Sequence, residues 1–155
     1  MNSWSLLFTA AVLLSWGCAV QQDTPCNRPA TCVESIHVKY TVHFTGLGIH
    51  VNDEKVDYNL NLQGPGECYE LPSSPAVVEA LARPLLQSRL FKEAEKDLIH
   101  RPNQGLPYKF KIEFSDGRVM ERRVWHEDLK EYPKVQEWLI ASRATRKFSG
   151  FLPKE

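Results

Sequence analysis

The chain has 155 residues, 43% of them hydrophobic and 25% charged, with 19 Lys plus Arg against 19 Asp plus Glu. Zero formal net charge argues against nucleic acid, whose binding draws on a basic surface, and leaves little long-range steering toward any charged partner. The proportions are those of a globular protein, long enough for one domain that buries its core without disulfides as the main support.

The chain opens on an apolar run, Ser5 to Trp16 (SLLFTAAVLLSW). It is apolar all round and too short to cross a bilayer of ~30 Å as a helix. Residues 1–19 therefore read as an export signal, which places the protein outside the cytoplasm, secreted or anchored in the cell envelope. Two cleavage readings stand side by side. Gly17 and Ala19 supply small residues for a cut before Val20. Alternatively, Leu14-Ser15-Trp16-Gly17-Cys18 resembles a bacterial lipobox, with Cys18 lipidated as the only membrane attachment. Residues 20–34 are polar, carry Pro25 and Pro29 and show no period, the pattern of a tether. Either cut takes Cys18 away and leaves Cys26, Cys32 and Cys68, enough for one internal disulfide. Cys26–Cys32 would close a short loop, and Cys32–Cys68 is the alternative.

The folded domain is expected over residues 35–148. Ile36, Val38, Tyr40, Val42 and Phe44 alternate with His37, Lys39, Thr41 and His43, a strand with one buried face. Thr45-Gly46-Leu47-Gly48 interrupts it as a turn, and the short apolar run Ile49 to Val51 follows. Asn52 to Lys55 reads as a second turn, and Val56, Tyr58, Leu60 and Leu62 resume the alternation. Ser74 and Pro75 start a helix, with Val77, Val78, Leu81, Leu85 and Leu86 on one face. Pro84 should kink it before it fades near Phe91. Tyr108, Phe110, Ile112 and Phe114 mark another half-buried strand. Asp116-Gly117 then predicts a two-residue hairpin into Val119 to Trp125. A last helix ends near Arg146, with Val135, Trp138, Leu139 and Ser142 facing inward, and residues 149–155 form a tail. These elements predict an α+β fold of order ββαββα, an antiparallel sheet of about four strands with two helices on one face.

No Gly-rich phosphate loop, HExxH or GxSxG motif occurs, and Gly46-Leu47-Gly48 lacks the third glycine of a dinucleotide site. His37 and His43 sit on one strand face, six residues or about 20 Å apart, too far to share a metal. His126-Glu127-Asp128 reads as a helix start, where acidic side chains meet the positive end of the dipole. The aromatic set Tyr40, Phe44, Tyr58, Tyr108, Phe110, Phe114 and Trp138 falls at core positions. The expectation is a non-catalytic chain with neither metal nor cofactor, and a monomer.

Taken together, several segments resemble the emfourin family, small protein inhibitors of thermolysin-like (M4) metalloproteases. They are the strand Ile36 to Phe44 feeding Phe44-Thr45-Gly46-Leu47-Gly48-Ile49, and the helix Ala80 to Leu86 running into Arg89-Leu90-Phe91. The hairpin Tyr108 to Arg118 and the helix ending Glu137-Trp138-Leu139-Ile140 complete them. The resemblance covers about Ile36 to Arg146. It implies an exported inhibitor that presents a rigid surface to a protease and needs no chemistry of its own. Its contact would be Thr45, Gly46, Leu47 and Gly48, where glycines let a partner backbone approach. The alternative for the same turn is a bulge with Leu47 tucked into the core. The alternative for the whole chain is a membrane-tethered lipoprotein with a structural or scaffolding role.

Overall fold

The computed structural model describes residues 31–42, 45–61, 66–94 and 106–154. The expected export signal over residues 1–19, Cys18 within it, Cys26, His43 and Phe44 lie outside the described residues.

Six antiparallel strands form one sheet in the order β4-β3-β2-β1-β5-β6. They are β1 (Val33–Val42), β2 (Thr45–Val51), β3 (Lys55–Asn61), β4 (Glu67–Pro72), β5 (Tyr108–Phe114) and β6 (Val119–Val124). Between β4 and β5 come α1 (Pro75–Leu86) and the single turn α2 (Arg89–Lys92). A 3-10 helix (His126–Glu131) and α3 (Pro133–Ala141) follow β6.

The expected four-strand sheet of order ββαββα is thus corrected to six strands, with β2 and β4 added. Thr45-Gly46-Leu47-Gly48 is not a turn. Thr45 pairs with Val42, Gly46 with Thr41, Leu47 with Tyr40 and Gly48 with Lys39, so the segment is the first half of β2. Its glycines, read as breakers, occupy the outward positions of a regular strand. β4 is an edge strand whose residues are all exposed or half-buried, which erases the apolar signal. β1 begins at Val33, inside the stretch expected as tether, and a bulge between Val33 and Ser35 turns Val33 onto the core face.

The registers line up inward side chains in rows across the sheet. One row runs Leu71, Val56, Val51, Ile36, Ile112 and Met120. The next runs Tyr69, Tyr58, Ile49, Val38, Phe110 and Arg122. Val78, Leu81 and Leu85 of α1 and Val135 and Trp138 of α3 join these rows in one core, so the helices cover this face.

Local chemistry fixes the helix ends. Ser74 caps α1 by accepting the Val77 N–H at 3.4 Å, with Pro75 behind it. α1 ends two residues beyond Pro84, and the Ser88 hydroxyl donates to Leu85 O at 2.6 Å. The Trp138 Nε1–H donates to Leu81 O at 2.9 Å and joins α3 to α1. Arg122 Nε donates to Leu90 O at 3.0 Å and ties β6 to α2. The β5–β6 connection is not the expected two-residue loop. Gly117 N–H bonds Phe114 O and Gly117 alone takes a positive φ (+80°), while Asp116 holds the Arg118 N–H and guanidinium. The expected final helix to Arg146 stops at Ala141. The chain then turns, and Phe148 returns to pack against Trp138 at 4.7 Å.

Candidate functional site

Among the described residues the helices leave the opposite sheet face open, and the same registers determine what it displays. One row crosses all six strands as Glu70, Asp57, His50, His37, Lys111 and Glu121. The neighbouring row reads Cys68, Asn59, Gly48, Lys39, Lys109 and Arg123. Gly46 lies beyond it, between Thr41 and Asn61. Because Gly48 brings no side chain, a depression of about 210 Å³ opens above β2, lined by His37, Lys39, Gly48, His50, Asp57 and Asn59.

Beside that depression the polar groups are tightly ordered. His37 and His50 face each other across β1 and β2 with ring centroids 4.3 Å apart and planes 15° from parallel. The Ser35 hydroxyl donates to Glu113 Oε2 at 2.6 Å, and His37 Nε2 lies 3.1 Å from Ser35 Oγ and 3.4 Å from Glu113. Lys111 Nζ sits 2.5 Å from the other carboxylate oxygen. The Lys111 and Ser35 hydrogen bonds hold the Glu113 carboxyl down to about 2. Partial burial and the neighbouring His37 push His50 below the usual imidazole value, with Asp57 opposing them.

This trio contains serine, histidine and a carboxylate but in the wrong order for nucleophilic catalysis. There the imidazole stands between hydroxyl and carboxylate and takes the hydroxyl proton. Here Ser35 gives its only proton to Glu113. The arrangement orients polar side chains on a surface. Among the described residues no three His, Cys, Asp or Glu side chains form a group able to hold a metal ion.

Of the sequence-derived site residues, Gly46 and Gly48 border the open face, whereas Leu47 points the other way and packs against the core between Tyr40 and Leu60. Cys26 of the expected Cys26–Cys32 bridge lies outside the described residues. Cys68 carries a free thiol on β4, so Cys32–Cys68 is not formed. Tyr58, Tyr108, Phe110, Phe114 and Trp138 are buried as expected, and Tyr40 is half-buried, stacked on Tyr108 at 4.0 Å. His126 belongs to this inner side, its Nδ1 3.4 Å from the Tyr108 hydroxyl. Ser35, His50, Asp57, Lys111 and Glu113 were not singled out from the sequence. Hairpin register could have found His50 and Asp57, whereas Ser35, Lys111 and Glu113 meet only through the non-local β1–β5 pairing.

Comparison with known proteins finds no matching family model, no similar curated protein and no similar solved structure.

The depressed Glu113 pKa carries an expected pH effect. In the unfolded chain a glutamate protonates near 4.5, whereas folded Glu113 stays ionised until about 2. Its contribution is complete above pH 4.5 and disappears as pH falls toward 2. The side chain is 34% exposed, so solvent screening keeps that contribution below ~1 kcal/mol. Glu113→Gln should flatten the acid limb of the melting temperature between pH 4.5 and 2. An unchanged acid limb would show that the Lys111 and Ser35 contacts do not persist in solution.

Proposed function

We propose that the chain is an exported binding protein that inhibits a metalloprotease by surface contact, and that the helix-free face of its sheet is the surface it presents. The observation that carries the reading is the one-sided packing. α1 and α3 are committed to the core side, while among the described residues the other side stands open with its polar groups fixed by register and hydrogen bonds. A sheet paired strand to strand is a rigid platform, and a rigid platform loses little entropy on binding. The emfourin resemblance supplies the partner class. Ala80 to Leu86 lies within α1 (Pro75–Leu86), Arg89 to Phe91 within α2 (Arg89–Lys92), and the Tyr108 to Arg118 segment runs along β5 toward β6. The Gly-containing segment becomes part of β2, which moves the expected contact from a protruding loop to the open face bordered by Gly46 and Gly48.

The test is inhibition. The purified protein is mixed with a panel of thermolysin-like metalloproteases, and hydrolysis of a peptide substrate is followed. At least one enzyme should slow at micromolar inhibitor. If none slows at high micromolar concentration, the inhibitor reading fails and the tethered-lipoprotein reading replaces it.

A further inference from the structure

Among the described residues, the open face leaves one of its lysines, Lys39, without a carboxylate partner. Lys39 lies directly opposite Lys109 in the β1–β5 register, and Lys109 lies opposite Arg123 in the β5–β6 register. This row of six holds three cations, of which Lys109 pairs with Glu121 of the next row and Arg123 is not without a partner. Like charges directly opposite one another in a sheet destabilise it. The other lysines of the face, Lys109 of this row included, are neutralised by carboxylates. Lys55 meets Glu70 at 2.8 Å, Lys109 turns to Glu121 at 3.0 Å, and Lys111 meets Glu113. Lys39 is exposed, and among the described residues no carboxylate pairs with it. The unmatched ammonium stands at the rim of the 210 Å³ depression, beside the stacked imidazoles of His37 and His50.

The depression has direction. Thr41, Lys39 and His37 of β1 form one wall, Asn61, Asn59 and Asp57 of β3 the other, and β2 is the floor. Same-face positions on a strand repeat every ~7 Å, so the glycine floor admits a short extended stretch of another chain before His50 closes it. Asn59 and Asn61 are exposed on the far wall and can meet the amides of such a stretch. The fold itself does not require glycine here. A Cβ on Gly48 would meet nothing within 4 Å, and one on Gly46 only Tyr40 O at 3.9 Å.

We propose that this groove receives an extended acidic segment of the partner protein, with a carboxylate seated between Lys39 and the His37–His50 pair. The proposal rests on the reading of this face as a binding surface and adds the chemistry of what it binds. A carboxylate at Lys39 supplies the partner that this ammonium lacks, so the bound state gains attraction that the free protein lacks.

The probe is a decaglutamate peptide titrated into isotope-labelled protein at low salt, with decalysine as the charge control. Amide shifts should centre on Lys39, Gly46, Gly48 and Asn59, and decalysine should produce none. Lys39→Glu should weaken binding about tenfold, the effect of reversing one charge beside the ligand. Gly48→Val should abolish binding with no fall in melting temperature, since the added side chain enters open space. If Gly48→Val lowers the melting temperature, Lys39→Glu, an exposed change, decides alone. Shifts centred elsewhere, equal response to decalysine, or binding unaffected by Lys39→Glu would each overturn the proposal. Protease inhibition that survives both variants would overturn the groove and leave the inhibitor reading standing. Decaglutamate binding without inhibition of any protease would do the reverse.

Discussion

Phe110→Ala should destabilise the protein by ~3–5 kcal/mol, the loss typical of a deeply buried aromatic. Phe110 is 0% exposed and sits near the middle of the inward row, between Val38 and Arg122. Phe91 of α2 meets it edge-on at 6.3 Å, and Tyr108 lies tilted at the same distance. Removing the ring leaves a void under both the sheet and α2. The neighbours on the strand make the control. Lys109 faces the open side and is exposed, so Lys109→Ala should move stability by no more than ~0.5 kcal/mol. Urea unfolding of the two variants measures the difference. A Phe110→Ala loss below ~1 kcal/mol would mean that the phase of β5 is inverted.

That phase was legible in the sequence because β5 is a strand of the simplest kind. Tyr108, Phe110, Ile112 and Phe114 are apolar, and every residue between them is charged. The signal fails where one half of the alternation is missing. In β2 the outward positions before His50 are Gly46 and Gly48, so Leu47, Ile49 and Val51 lost their polar counterpart and the glycines looked like a break. In β4, Tyr69 and Leu71 are the only sizeable apolar side chains, and an edge strand needs no more. The sheet therefore reads two strands short.

The candidate face was lost with β2. Once His43 and Phe44 are taken as the β1–β2 connection, antiparallel counting sets Val42 opposite Thr45 and His37 opposite His50. Counting across Asn52 to Lys55 in the same way sets Asp57 opposite His50. A turn placed at residues 45–48 keeps the Asp57–His50 pairing but destroys the His37–His50 one, which leaves His43 on the same strand as the histidine to set against His37. Glu113 was beyond even correct counting. It reaches Ser35 through the β1–β5 pairing, a contact 78 residues apart in sequence that no local pattern announces. Local patterning finds strands, hairpin counting finds a neighbour, and non-local pairing is set by the whole core.

Leu47→Asp should lower stability by ~2–4 kcal/mol, and it separates the two sides of β2. Leu47 lies between Tyr40 and Leu60 in the inward register and packs against the core, although it is only half-buried. The substitution removes an apolar side chain from that row and puts a carboxylate near the stacked rings of Tyr40 and Tyr108. Gly48, the next residue, faces the other way into open space. Two adjacent substitutions should therefore have opposite signatures. Leu47→Asp costs melting temperature, and its effect on binding follows the fraction folded. Gly48→Val costs binding alone. Leu47→Met, which keeps volume and polarity, should cost less than ~1.5 kcal/mol and leave binding intact. If Leu47→Asp abolished protease binding while the melting temperature held, Leu47 itself would be the contact. The recognition surface would then lie on the inner edge of β2, and the open face would lose its assigned role.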